Sequence, residues 1–589
     1  MISDVKREET MPQTDQIEQA DAAEVEMGSV PSNMTTGKPP PLPQIDRMLL
    51  DDERAPEARG AFMDSLPQSY WYSWQFIGTF IAIILAKDAG SGGFSLAAPV
   101  LANINAEIGP DPAVTWVSLA WTLTQGISTL VVGRLSDVFG PRWIFIVFSV
   151  IGTAGAIWAS QAQSIKQLIG ATVLLGIAGG VQISYFWIIS EIVPMKWRFA
   201  ANSFIYVCSF TSWLGPKISY DFFTQTAAGW RGSYYLLVAL NGLSTILFWL
   251  CYHPPTFKML HRRSALTNLV KTFDWVGLVL YTGSFVAFLI GLNWGGSSYP
   301  WGSAHVLGTL IGGIGGLGVF VGYEIWLAHR YKSVVPFVPM HFFTNFPLLA
   351  ITGMTCVSGA SYYGLASVWP GLVNNVWPTF SQSKTGNMLS LFVLTYLWGQ
   401  VVGGAIAHFT GALFSWALEA LRLVSWRVAL TATTYPLRSQ DEIGSAGGVT
   451  GTIRLFISTI ATAAYNTTLN NRLAKTIPGR VGPAAEAAGL PASSVPLLIK
   501  MLKGTLPAGT NVPGLTDAIT TVAKSAFHLA YNDAYRTLFF VFIAFTVPGV
   551  FLCWFVIDSD KSKDEFVAGH LHKRADERIL EGDGTDENE

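Results

Sequence analysis

Two ionisable residues, Lys87 and Asp88, stand inside an apolar stretch over 74–104, directly before Gly90-Ser91-Gly92-Gly93. Ionisable side chains at membrane depth are costly and by default mark a substrate or proton path. Glycine-loosened helix is tolerated there where it lines a cavity. The pair therefore reads as a proton or substrate site. Successive helical residues point about 100° apart, so the two need not bond each other. The plainer reading puts them in the outer half of the span, with the Lys87 ammonium snorkelling to the interface. Arg454 is a third such residue. It follows a Gly-rich entrance at 442–448 and either meets an anionic group or pairs with Glu442. No metal-ligand spacing, phosphate-binding loop or nucleophile motif accompanies these residues, so neither a catalytic set nor a metal site is expected. Gly313-Ile314-Gly315-Gly316-Leu317-Gly318 fits a dinucleotide fingerprint by letter. No strand precedes it and it lies in an apolar run, so close helix packing through Gly308, Gly312 and Gly316 is the expected use. With no nucleotide or other cofactor site, any pumping must draw on an ion gradient.

The elements that hold these residues are membrane helices. The chain has 589 residues, 50% hydrophobic and only 13% charged, with a mean hydropathy of +0.38. A soluble domain carries about 25% charged residues. Crossing a bilayer core takes about 20 apolar residues. Candidate spans lie at 74–104, 114–135, 143–162, 165–193, 199–220, 232–252, 274–293, 304–328, 346–371, 386–407, 443–469 and 534–557, twelve in all. The stretch 409–430 is ambiguous because it holds Glu419, Arg422 and Arg427. Residues 1–72 and 559–589 are polar and read as disordered tails, with no secretory signal at the start. The net charge is −2 with no basic tract, which speaks against nucleic acid as a partner. Cys208, Cys251, Cys356 and Cys553 lie in or beside apolar runs and read as buried free thiols.

Short loops give the orientation. Arg134 and Arg142, then Lys196 and Arg198, then Lys258, Arg262, Arg263 and Lys271, then Arg330 and Lys332 fall in alternate links. The links after the first and seventh spans have neither Lys nor Arg. The basic links and both termini are therefore expected in the cytoplasm, with the loop 470–533 outside and holding local helices. The sequon Asn466-Thr467-Thr468 falls at a span end, where glycosylation is not expected. Trp71, Trp74, Trp143, Trp301 and Trp554 suit interfacial belts. The internal Trp121, Trp187, Trp213 and Trp369 suit either packing or an aromatic cavity for apolar, ring-bearing substrates.

The link between the second and third spans reads Gly133-Arg134-Leu135-Ser136-Asp137-Val138-Phe139-Gly140-Pro141-Arg142. Glycines there allow tight turning and close approach, and Asp137 and Arg142 belong at the interface. In Gly133, Leu135, Asp137, Gly140 and Arg142 it resembles the signature of the major facilitator superfamily. Pro141 stands where that family has a second basic residue. The resemblance implies that Asp137 and Arg142 latch the two helix bundles on the cytoplasmic side. Glu191, at the same end of the fourth span, is a candidate third member or simply a solvated helix-end carboxylate. Trp230-Arg231 with Asn241 resembles another family pattern, and Gly215-Pro216 a remnant of its antiporter kink, although a Gly-Pro kink alone explains it. Asp274-Trp275 with Gly277, and Trp294-Gly295 with Tyr299-Pro300-Trp301, resemble the frame of the helix pair inserted in fourteen-helix drug:proton antiporters. The stretches 90–99, 253–257, 442–448, 470–473 and 489–491 resemble the fungal trichothecene efflux pump branch and, in part, fungal siderophore transporters. The resemblance runs from about Trp74 to Ile557.

It implies an all-α polytopic membrane protein of the major facilitator fold. The tail 1–72 precedes a first bundle over 73–253, a linker and inserted pair over 254–330, and a second bundle over 331–558. One stretch departs: two further helices belong between Gly404 and Gln440, and only 409–430 stands there. The second bundle is then short of two helices around 408–440, through a mis-spliced gene model or a true loss. The function implied is proton-coupled export of a fungal secondary metabolite, mycotoxin or drug, at the plasma membrane. Import of siderophore-bound iron, or a sensor or scaffold without transport, are the alternatives. The expected partners are a small hydrophobic or ring-bearing substrate, protons and the lipid bilayer.

Overall fold

The computed structural model describes residues 61–62, 67–254, 273–295, 299–330, 336–377, 380–410, 433–434, 437, 442–503, 512–552, 566–567 and 571. Each of the twelve apolar stretches forms a helix. They are α1 Trp74–Ser95, α2 Thr115–Phe139, α3 Pro141–Ser160, α4 Ile165–Ile183 with a continuation over Phe186–Ile192, and α5 in two halves, Arg198–Cys208 and Phe210–Gln225. There follow α6 Arg231–Cys251, α7 Trp275–Trp294, α8 Ala304–Arg330, α9 Phe346–Val376, α10 Gln382–Thr410, α11 Ile443–Ala487 and α12 Asp517–Leu552. Among the described residues, six helical stretches, those of α1, α3, α4, α6, α7 and α8, are long and apolar enough on their own to cross a membrane. Local chemistry starts several of them. Ser73 accepts from the Phe76 amide at 3.2 Å, Asp274 from the Gly277 amide at 2.8 Å and Asn345 from the Leu348 amide at 3.3 Å. Each supplies an acceptor for an amide that has no partner within the helix.

In the first bundle α2 and α3 pack on α4, and α6 lies against α1 and α3. In the second, α9, α11 and α12 pack on one another. The bundles meet through α2 on α11 and α5 on α10. The pair α7–α8 packs chiefly on itself, with α7 touching α2 and α11. Only 17% of the apolar window of α8 is buried, so the outer face of that helix, with Ile311, Ile314 and Val319 exposed, suits contact with lipid. The close approach inside the pair differs from the expected one. Gly308 and Gly312 face open space, whereas Gly313 lies on the Phe288 backbone and Gly316 on Ser284.

Two other expectations change. The link 133–142 is mostly helix, because α2 runs on to Phe139 and α3 begins at Pro141. Gly140, at φ 82°, alone turns the chain, and Pro141 suits the first turn that follows. The loop 470–533 is largely helical too. α11 continues to Ala487 through Pro478 and Pro483, and α12 starts at Asp517. A short helix, Val495–Leu502, packs between them with Ile477, Val481, Leu498 and Phe527 in one buried cluster. The ambiguous stretch 409–430 lies almost wholly outside the described residues. Within the ranges read as tails, Ala61–Phe62 pairs antiparallel with Phe566–Val567, and the Leu571 amide donates to the Tyr70 hydroxyl at 3.4 Å.

Candidate functional site

Lys87 and Asp88 are both fully buried. They turn to the same place, the break between the halves of α5. Ser209 leaves helical geometry there at φ −90°, ψ 82°, and the second half starts with free amides that need an acceptor. Asp88 Oδ1 takes the Thr211 amide at 3.1 Å and the Thr211 hydroxyl at 2.6 Å. The carboxylate of α1 thus caps a half-helix of α5, where negative charge is favoured. Lys87 Nζ donates to Ser212 Oγ at 2.5 Å and sits 4.1 Å from the centre of the Tyr206 ring. Neighbouring side chains of α1 therefore grip either side of one break, rather than each other.

Gly215 and Pro216 follow in the second half of α5. A Cβ at Gly215 would lie 2.6 Å from Ser95 Oγ, so the glycine lets α5 close on the end of α1. Ser95 Oγ donates to the Thr211 carbonyl at 2.9 Å and Ser219 Oγ to the Leu96 carbonyl at 2.6 Å. Past the proline, the Lys217 amide donates to Ser390 Oγ of α10 at 3.1 Å, which ties this half-helix to the second bundle.

The wall around this break is aromatic. Phe94, Trp121, Tyr206, Tyr362, Tyr363 and Tyr396, with Ser212, line a narrow central pocket drawn from both bundles. Phe94 and Tyr363 also line a cavity of about 470 Å³ that rises between α1, α2, α7, α9 and α11, past Thr122, Asn293 and Asn466. On α1, α2, α7 and α9 its lining lies toward the ends remote from the link 133–142, and on α11 it runs from Leu455 to Asn470. Arg454 is 2% exposed, 5.7 Å over the Tyr363 ring, and its stem packs on Gly359. It is not Glu442's partner. Glu442 Oε2 meets His341 Nε2 at 3.0 Å, and twelve helical residues put Arg454 about 18 Å further along α11.

At the link end the bundles touch. A Cβ on Gly133 would collide with the Gly444 carbonyl oxygen and lie 3.2 Å from Gly448 Cα. Gly447 lies against the Trp187 ring, Arg134 Nη1 donates to Ser445 Oγ at 3.4 Å, and the buried Arg198 donates to Thr434 Oγ1 at 3.0 Å. Arg142 Nη2 donates to the Trp249 carbonyl at 3.3 Å. The Tyr252 hydroxyl donates to Glu191 Oε2 at 3.4 Å, and both Glu191 and Arg142 act electrostatically on Tyr252. Asp137's side chain lies outside the described residues. Around the Trp-Arg pattern, Arg231 reaches Glu107 at 2.7 Å, and Asn241 Oδ1 accepts from Gln182 at 2.6 Å, joining α6 to α4.

Sequence reasoning missed Tyr206, Thr211 and Ser212, because nothing in Cys208-Ser209-Phe210 announces a break. It also passed over Asp274 as a buried acid and Glu324, whose signal was visible as a lone carboxylate in an apolar span.

The profile of the family described as "Fungal trichothecene efflux pump (TRI12)" matches residues 46–432 and 401–589. The two matched stretches overlap over residues 401–432. The chain is 27% identical over 572 aligned residues to the trichothecene efflux pump TRI12 of Fusarium sporotrichioides, covering 90% of this chain and 94% of that protein. It is 27% identical over 589 aligned residues to the pump of the same name from Trichoderma arundinaceum, covering 91% and 96%. Among solved structures, the human organic anion transporter MFSD10 aligns with a TM-score of 0.41 at 13% identity, covering 78% of this chain and 99% of that one.

Proposed function

The chain belongs to the fungal trichothecene efflux pump family, and from that premise we propose that it exports a small, apolar, ring-bearing metabolite in exchange for protons. It is a multi-pass membrane transporter of the major facilitator type and not an enzyme. The observation that carries the proton reading is the Asp88 carboxylate capping the broken half of α5. As an anion, Asp88 holds the amide and hydroxyl of Thr211. Taking up a proton removes the charge that a helix start favours and one of the acceptor lone pairs. The half-helix it releases is the one bonded to α10 through Lys217 and Ser390. Protonation in the first bundle thereby changes the contact by which that bundle leans on the second.

The cavity of about 470 Å³ and the closed contacts at Gly133 and Gly447 correspond, in this reading, to access from the face opposite the link. That face is the exterior of the plasma membrane, and both termini and the link are cytoplasmic. Rings of Phe94, Trp121, Tyr362 and Tyr363 suit stacking against an apolar polycyclic cargo. The efflux pumps among the relatives support export rather than import.

The test is Asp88→Asn in reconstituted vesicles with a labelled trichothecene-class sesquiterpenoid as probe. The variant should reach the membrane and catalyse substrate exchange while losing accumulation driven by an imposed proton gradient. Gradient-driven accumulation at the wild-type rate overturns the role of Asp88.

A further inference from the structure

Asp274 and Glu324 lie far from the central pocket, where the inserted pair joins the second bundle. Asp274 is 4% exposed and Glu324 fully buried. Each carboxyl has one oxygen engaged. Asp274 Oδ1 accepts from the Gly277 amide at 2.8 Å and the Tyr323 hydroxyl at 3.0 Å. Glu324 Oε2 accepts from the Val338 amide at 3.4 Å, in the segment leading to α9. The other two oxygens, Asp274 Oδ2 and Glu324 Oε1, are buried and have no donor among the described residues. They face each other over the bare Cα of Gly277, where a Cβ would strike Asp274 Oδ2 and lie 2.7 Å from Glu324 Oε1.

Ionised carboxylates only accept hydrogen bonds. Two side by side in a dry site cannot both stay ionised without great cost. Here the surroundings are aromatic. Phe337 has ring contacts with Phe273, Phe320 and Tyr281. The titratable groups facing the pair are Tyr323 from α8 and, across those rings, Tyr281 from α7, which points to Thr452 of α11. From the described part of the segment before α9, the contact to the pair is the Val338 backbone amide. His341, just beyond it, is engaged with Glu442. No Lys, Arg or His among the described residues forms an ion pair with either acid. One proton on Glu324 turns two orphan acceptors into a donor and its acceptor.

We propose that Asp274 and Glu324 form a second proton-binding site, in which one shared proton fastens the start of α7, α8 and the linker to α9. The site is separate from the Asp88 reading and does not rest on it. When the proton is lost, two like charges oppose each other inside the aromatic cluster, and α8 and the linker must part from α7.

The test uses the full-length protein in detergent and no substrate, so failure of the transport reading leaves it intact. In wild type, infrared difference spectra should contain a protonated-carboxyl C=O band that Glu324→Gln removes. Thermal stability should fall as pH rises far enough to strip the shared proton. Glu324→Gln and Asp274→Asn each supply a permanent amide donor to the opposite orphan oxygen and should flatten that pH dependence. If one variant fails to fold, the other carries the comparison. A wild-type pH profile in both variants, or an unchanged carboxyl band in Glu324→Gln, overturns the proposal. So does stability that follows added Na⁺ or Ca²⁺ at fixed pH, since a bound cation would then hold the pair.

Discussion

Gly133→Ala gives the sharpest test of the link-end closure. The added Cβ meets three atoms of α11, and all are backbone: the Gly444 carbonyl oxygen, Gly444 C at 3.2 Å and Gly448 Cα at 3.2 Å. No side chain can swing away, so α2 and α11 must move apart. Overpacking of this kind costs about 1–3 kcal/mol. The cost falls only on the arrangement in which the helices touch. An equilibrium between link-closed and link-open arrangements therefore shifts by roughly 5- to 150-fold toward open.

Ser445 is a convenient reporter, since it is 2% exposed and meets Arg134 across the closed contact. A single cysteine at 445, in a chain freed of its four native cysteines, should react slowly with a maleimide in the parent. With Gly133→Ala the labelling rate should rise by the same factor, provided the closed arrangement dominates before substitution. Gly140→Ala is the control. Gly140 has a positive φ of 82° but nothing within 4 Å of a new Cβ. It should destabilise the fold by about 1–3 kcal/mol through backbone strain and leave the labelling rate alone. Equal labelling in the parent and Gly133→Ala would refute the idea that this glycine contact closes the link end.

Thr211→Val removes the hydroxyl bond to Asp88 and keeps the amide bond. Thermal stability should drop by about 1.5–3 kcal/mol, the range for a hydrogen bond to a charged group, and by clearly less in an Asp88→Asn background, as a double-mutant cycle would detect. Tyr396→Ala removes a ring 4.5 Å from Tyr362 in the pocket wall. A stacking contact between that wall and a substrate ring is worth about 0.5–1.5 kcal/mol, so loss of the Tyr396 ring should raise the KM for a ring-bearing substrate about 2- to 12-fold with little change in maximal rate. Tyr252→Phe loses the donor to Glu191. The loss, about 1 kcal/mol, should be the same from roughly pH 5 to pH 9, as thermal melts at each pH would measure.

What could be read from the amino acids alone follows from how strongly each feature is fixed locally. A run of apolar residues long enough to span a bilayer has no soluble alternative, and each of the twelve is a helix. Gly140 and Pro141 specify their turn by their own backbone chemistry. The break at Ser209 has no such source. Its neighbours are Cys208 and Phe210, and what sustains it is Asp88, 121 positions away in the chain, taking the Thr211 amide. Arg454 and Glu442 looked like partners by proximity in sequence, but helical rise carries them apart and His341 comes in from another element.

The packing of α10 has a physical consequence of its own. α10 packs mainly along both halves of α5, in the first bundle, and far less on α9, in the second. Its fixed points on α5 include the Ser390 bond and the approach of Gly386 to the Lys217 backbone. Rocking of two bundles requires each helix to travel with its own bundle. With these contacts α10 is held by the first bundle at the same half-helix that Asp88 caps. Movement of that half-helix on protonation would therefore draw α10 with it and reshape the pocket wall at Tyr396, facing Tyr362 of α9. In the proposed exchange of cargo for protons, coupling would run along Asp88, Thr211, Lys217, Ser390 and Tyr396. A disulfide fixing α5 to α10 should leave this coupling intact, whereas one fixing α10 to α9 should abolish it.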